Sequence, residues 1–148
     1  MDEDVMRAQL EASLLSAMDA TAEPAAWGRD DCALWAATVI KGALGYDPAE
    51  QWRGRYDSRV GAAELLGRMG LPFAIKRMAA KHGWKRVHPA FSDTGDVGLA
   101  MVPAIIDGSI VLRPTTFICR SPGWWVARAE RGYFAAQSHL VRVAWAVA

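Results

Sequence analysis

The sequence is short of the residues that build metal centres and acid–base machinery, with two cysteines, Cys32 and Cys119, and three histidines, His82, His88 and His139. Two cysteines are too few for a disulfide-stapled scaffold, and no Cys-x-x-Cys or His-x-x-x-His spacing points to zinc, so neither a metal nor a cofactor is expected. A bond between Cys32 and Cys119 is not expected either, because one opens a predicted helix and the other lies inside a predicted strand. Neither sign of charge dominates: 17 Lys plus Arg stand against 16 Asp plus Glu, a formal net charge of +1. That leaves no basic footprint for nucleic acid or an anionic membrane. No apolar run approaches the roughly 18 residues of a membrane span. The start, Met1-Asp2-Glu3-Asp4, is acidic where a secretory signal is basic. The expectation is synthesis in the cytoplasm, no membrane insertion and no nucleic-acid partner. Internal repeats and low-complexity tracts are also missing.

What is present suffices for one core: 148 residues, of which 52% are hydrophobic and seven are tryptophan. Met6, Leu10, Leu14 and Met18 recur four apart and predict an amphipathic helix over Val5 to Met18. Asp31 before an apolar run predicts a second helix that stops at Gly42 or Gly45. Two further helices are expected over Gly61 to Met69 and Phe73 to His82, split at Gly70-Leu71-Pro72, with the Trp52 to Tyr56 segment a surface loop. The second half changes to strand patterning. Trp84 to His88 alternates, Asp93-Thr94-Gly95-Asp96 is a turn before Val97 to Val102, and Asp107-Gly108 signals a hairpin. Thr115 to Arg120, Trp124 to Arg128, Gly132 to Gln137 and Leu140 to Val147 read as later strands. Helices first and strands afterwards give an α+β class, with N-terminal helices packed on an antiparallel sheet. Residues 1–26 form a helix and linker, and 27–148 the main body.

Cys32 falls in the first turn of its helix, where free N–H groups and the helix dipole favour a thiolate. It is the candidate nucleophile; the alternative is a core cysteine beside Leu34 and Trp35. A thiolate nucleophile needs an imidazole base, and His88 and His139 are the candidates, each of which is equally readable as an idle surface residue. His82 is read as a helix cap.

Several short motifs occur in order: Trp27-Gly28, Asp31-Cys32, Gly45-Tyr46-Asp47-Pro48, Arg53-Gly54-Arg55-Tyr56, Gly95-Asp96-Val97 and a closing Ala144 to Val147. This order resembles the NlpC/P60 papain-like peptidases, and more closely an uncharacterised branch of that fold encoded by tailed phages and prophages. The resemblance implies a single papain-like domain in a virion, at or near the tail tip, with other tail-tip proteins and host peptidoglycan as partners. It also exposes a departure. Laying Gly123 on the glycine that ends the family's histidine-bearing strand puts Thr115 or Thr116 where the catalytic histidine belongs, and threonine cannot act as an imidazole base. Gln137 would match the family's third polar residue.

Three functions are compatible with these residues. One is a tail structural or assembly protein that keeps the fold without the full catalytic set. Another is an active cysteine peptidase of peptidoglycan stem peptides, using Cys32 with His88 or His139. The third is an interaction or chaperone module unrelated to virions. Trp124-Trp125 and the Trp52 to Tyr56 loop are candidate contact surfaces.

Overall fold

Each of the first three helices starts at a side-chain cap. In the computed structural model, which describes residues 2–148, α1 spans Glu3–Asp19, α2 Cys32–Leu44, α3 Arg59–Leu66 and α4 Gly70–Lys81. The Asp2, Asp31 and Ser58 side chains accept hydrogen bonds from Val5, Leu34 and Gly61 N–H, which satisfies one orphan donor in each first turn. Gly45 ends α2 in the left-handed conformation (φ 84°). The break between α3 and α4 falls at Gly67, not at Gly70-Leu71-Pro72. Pro72 sits inside the first turn of α4, where its missing N–H costs nothing.

Six strands follow: β1 Lys85–Val87, β2 Val97–Ile106, β3 Ser109–Ser121, β4 Trp124–Arg128, β5 Tyr133–Gln137 and β6 Val143–Ala146. They form one antiparallel sheet in the order β1-β6-β2-β3-β4-β5. The α+β class therefore holds. The expected strands around Asp107-Gly108 and beyond merge into two long ones, because that two-residue turn (φ 52° and 80°) closes a hairpin paired from Ile106↔Ser109 down to Val97↔Ile118. Leu140, expected to begin the last strand, instead ends a short 3-10 turn over Ser138–Leu140. His88 likewise leaves the first strand, to cap a 3-10 turn at Pro89–Phe91.

The sheet is buried on both faces. On one side Leu10, Leu14, Val39 and Ile40 of α1 and α2 pack on Val97, Leu99 and Ile118, so α1 belongs to the main core. A buried Asp96 carboxylate fastens it there by accepting from the Arg7 guanidinium. On the other side Phe117, Cys119, Trp125 and Val141 form a second buried cluster. Gly98 makes that packing possible: a Cβ there would meet Trp125 and Val141 side-chain atoms at 2.8 Å. Trp124 and Trp125 separate as neighbours on a strand must, Trp124 being half exposed and Trp125 fully buried, with its indole N–H donating to Ser138 Oγ at 3.1 Å.

Candidate functional site

The short motifs of the first half meet at the N-terminus of α2. Asp31 Oδ1 accepts from Leu34 N–H (3.1 Å), while Oδ2 accepts from Gly28 N–H (3.0 Å) and from the Tyr56 hydroxyl (2.6 Å). Gly28 is left-handed (φ 82°), and a Cβ on it would lie 1.7 Å from the Tyr56 carbonyl oxygen, so no other residue fits. Its own carbonyl accepts from Gly54 N–H at 2.8 Å. Arg53 grips Asp47 through Nε (2.7 Å) and Nη2 (3.1 Å), and its Nη1 reaches Thr38 Oγ1 and the Arg29 carbonyl. The Trp52 to Tyr56 segment, expected as a surface loop, is also a brace for the cysteine helix. Trp52 itself packs against the core, and the Tyr56 hydroxyl, facing a carboxylate, is pushed well above the ordinary tyrosine range by burial and by Asp31.

A second brace comes from the sheet. The Arg128 side chain, at the end of β4, is fully buried. Its Nε and Nη2 donate to Asp30 Oδ2 at 3.0 and 2.9 Å, and its remaining donors reach the carbonyls of Thr21, Glu23, Ala129 and Gly132. One guanidinium thus ties the whole α1–α2 connection to the sheet through all its N–H groups.

Between these braces and β3 opens a cleft of about 560 Å³, lined among others by Trp27, Cys32, Arg113, Thr115, Glu130 and Phe134. The Arg113 guanidinium lies over the Trp27 ring at 5.2 Å. Cys32, partly buried, receives the Thr116 backbone N–H, and Thr115 lines the same cleft, so β3 faces the thiol at these two positions. Behind them a small apolar void of about 40 Å³ is edged by Thr116, whose buried hydroxyl has no partner among the described residues.

The thiol does not behave as its helix position suggests. Burial pushes the Cys32 pKa up; the Thr116 and Ala33 N–H groups and Arg113 favour the thiolate, Asp31 opposes it, and desolvation is the largest effect. Cys119 is also free, lies inside the sheet, donates to the Ser121 carbonyl and is pushed up to about 12.

Among the described residues no histidine lines the cleft. His139 is exposed in the 3-10 turn that follows β5, beside the Trp124 end of β4, where Ser138 N–H donates to the Gly123 carbonyl. Cys32 faces the cleft at the Arg128 end of that strand, which is itself roughly 13 Å long by strand rise. His88 is exposed on the turn that packs against that of His139, and its Nδ1 accepts from Ala90 N–H at 3.1 Å. His82 stacks on Tyr46 at a centroid distance of 4.6 Å. Gln137 pairs with Trp124 and so belongs to the far end as well.

Arg113, Arg128 and the Tyr56–Asp31 contact escape a reading of the sequence. Only Arg128 leaves a trace, as a lone charge closing the apolar run Trp124 to Ala127. Among the described residues no group of three or more His, Cys, Asp or Glu side chains is arranged to hold a metal, and no helix is long and apolar enough to cross a membrane.

A family model described as a domain of unknown function, DUF6950, matches residues 6–147. No curated protein and no solved structure matches the chain.

Proposed function

The chain belongs to the DUF6950 family, and we propose that it is a papain-like domain of NlpC/P60 type that has lost its catalytic base and serves as a structural component of a bacteriophage or prophage tail tip. One observation supports the loss of catalysis: Cys32, at the N-terminus of α2, faces β3 at Thr115 and Thr116, and the resemblance lays Thr115 or Thr116 where NlpC/P60 peptidases carry their histidine. The raised thiol pKa and the distance of His88 and His139 from the cleft support the same reading. A positioned general base is worth roughly a hundred- to ten-thousandfold in rate, and threonine supplies none of it. The tail-tip role, with other tail-tip proteins as partners and host peptidoglycan nearby, rests on the ordered motifs from Trp27-Gly28 to Ala144–Val147.

The test has two arms. Purified protein is incubated with host sacculi beside Cys32→Ala, and released stem-peptide fragments are sought by mass spectrometry; none is expected. Fragments made by the wild type and lost in Cys32→Ala would establish the active cysteine peptidase instead, and His88→Ala and His139→Ala would then identify the base. Separately, purified phage particles are probed for the chain, and its absence from them would remove the tail role.

A further inference from the structure

The hairpin β2–β3 outgrows its sheet. β6 pairs with β2 only from Val97 to Leu99, and β4 pairs with β3 only from Ile118 onward, so residues 100–106 and 109–117 form a two-stranded ribbon. The register puts Met101, Pro103, Ile105, Ile110, Leu112 and Pro114 on one face of it. All six are apolar, and Ile105, Ile110 and Leu112 are 77%, 76% and 58% exposed. The other face, with Val102, Ala104, Arg113 and Thr115, lines the Cys32 cleft and carries a charge.

We infer that this free face is a self-association surface, occupied by the same face of a second copy of the chain across a two-fold axis. Three features select that occupant. First, no charged residue stands on the face, so two identical copies meet without opposing like charges, the condition a self-complementary surface must satisfy. Second, its edges are closed to strand addition. With Ile106↔Ser109 flanking a two-residue turn, the pairs Pro103↔Leu112 and Met101↔Pro114 are the non-hydrogen-bonded ones. The N–H that each proline lacks is therefore the outward one, which blocks edge pairing and leaves face packing. Third, the patch covers on the order of 400–500 Å², so that two faces together bury on the order of 1,000 Å², the lower bound for a specific interface.

Sedimentation equilibrium of the full chain over a hundredfold concentration range tests this. The expected result is a concentration-dependent rise to twice the chain mass. Ile105→Lys with Ile110→Lys should raise the dissociation constant at least about a hundredfold, because each dimer loses four buried isoleucines. Should the lysine pair fail to fold, Ile105→Thr with Ile110→Thr keeps the β-branching and replaces it, folding being checked by circular dichroism. A wild type that stays at single-chain mass at its solubility limit overturns the inference. So does a dimer that survives the folded variant, or an assembly that grows beyond two.

Discussion

The two walls of the Cys32 cleft are built to different standards. On the helix side nearly every polar group is committed: Asp31 takes three donors, Arg53 holds Asp47 by two, and Arg128 spends all its N–H groups on Asp30 and four carbonyls. On the strand side the Thr116 hydroxyl has no partner among the described residues, and the ribbon beyond it exposes isoleucine and leucine. The framework that presents the cysteine is densely hydrogen-bonded, while the strand facing it offers the thiol only the Thr116 backbone N–H, the Thr115 hydroxyl being spent on the Arg113 carbonyl. Position of the thiol and chemistry of the thiol are thus separable properties in this fold.

The strongest way to break the contrast is to remove the helix-side brace. Arg128→Ala leaves Asp30 without its partner and strips donors from buried carbonyls, and should cost about 3–5 kcal/mol. For a chain of this length that is a fall of roughly 10 °C in Tm by calorimetry. Arg128→Lys should recover less than half, because an ammonium cannot reproduce the fork. A loss under about 1 kcal/mol would mean that the brace contributes little. The strand side gives a paired control. Trp125→Ala empties the second buried cluster and should cost about 3–5 kcal/mol, whereas Trp124→Ala, on the exposed side of the same strand, should stay within about 0.5 kcal/mol in urea denaturation.

A smaller effect comes from Tyr56→Phe, which deletes one of the three donors to Asp31 and should cost about 1–2 kcal/mol at neutral pH. Its pH dependence is the more telling measurement. Burial and Asp31 hold the Tyr56 hydroxyl protonated well above its ordinary value of 10.0. As pH rises through that value the unfolded chain releases the proton and the native one keeps it, so the stability due to Tyr56 is complete below about pH 10 and declines above it. Denaturation midpoints from pH 8 upward should fall more steeply for the wild type than for Tyr56→Phe. Parallel curves would show that the hydroxyl is not held by Asp31.

How much of this was legible beforehand depended on how local each signal is. The Asp31 cap and the Asp107-Gly108 turn are decided within four residues and are legible in the sequence, which also narrows the helix stop to Gly42 or Gly45. The role of Tyr56 was not legible, because its partner lies 25 positions away and a Trp-Arg-Gly-Arg-Tyr string looks like any solvated loop. Nor was the thiol pKa: the first-turn position of Cys32 argues for a lowered value, and the walls that desolvate it come from β3. Thr115 and Thr116 were aligned opposite the thiol only through the family resemblance, while the separation of His88 and His139 from it needed the strand order.

The subtlest effect concerns Cys32 itself. Its pKa lies above the ordinary 9.0 because burial outweighs the Thr116 and Ala33 N–H groups and Arg113. Alkylation by iodoacetamide at pH 7.5 should therefore run more slowly than for a free thiol, with a single inflection on the alkaline side. Cys119, fully buried within the sheet, does not compete for reagent. Thr115→His puts an imidazole on the wall that already lines the cleft with Cys32. An imidazolium there would stabilise the thiolate, so the rate at neutral pH should rise and a second inflection appear between about pH 6 and 8. Mass spectrometry of the alkylated chain across pH reads both. A wild type that already reacts fast at neutral pH, with its inflection below pH 8, would mean that some group activates the thiol from outside the walls described, and the active peptidase would become the better account of the cleft.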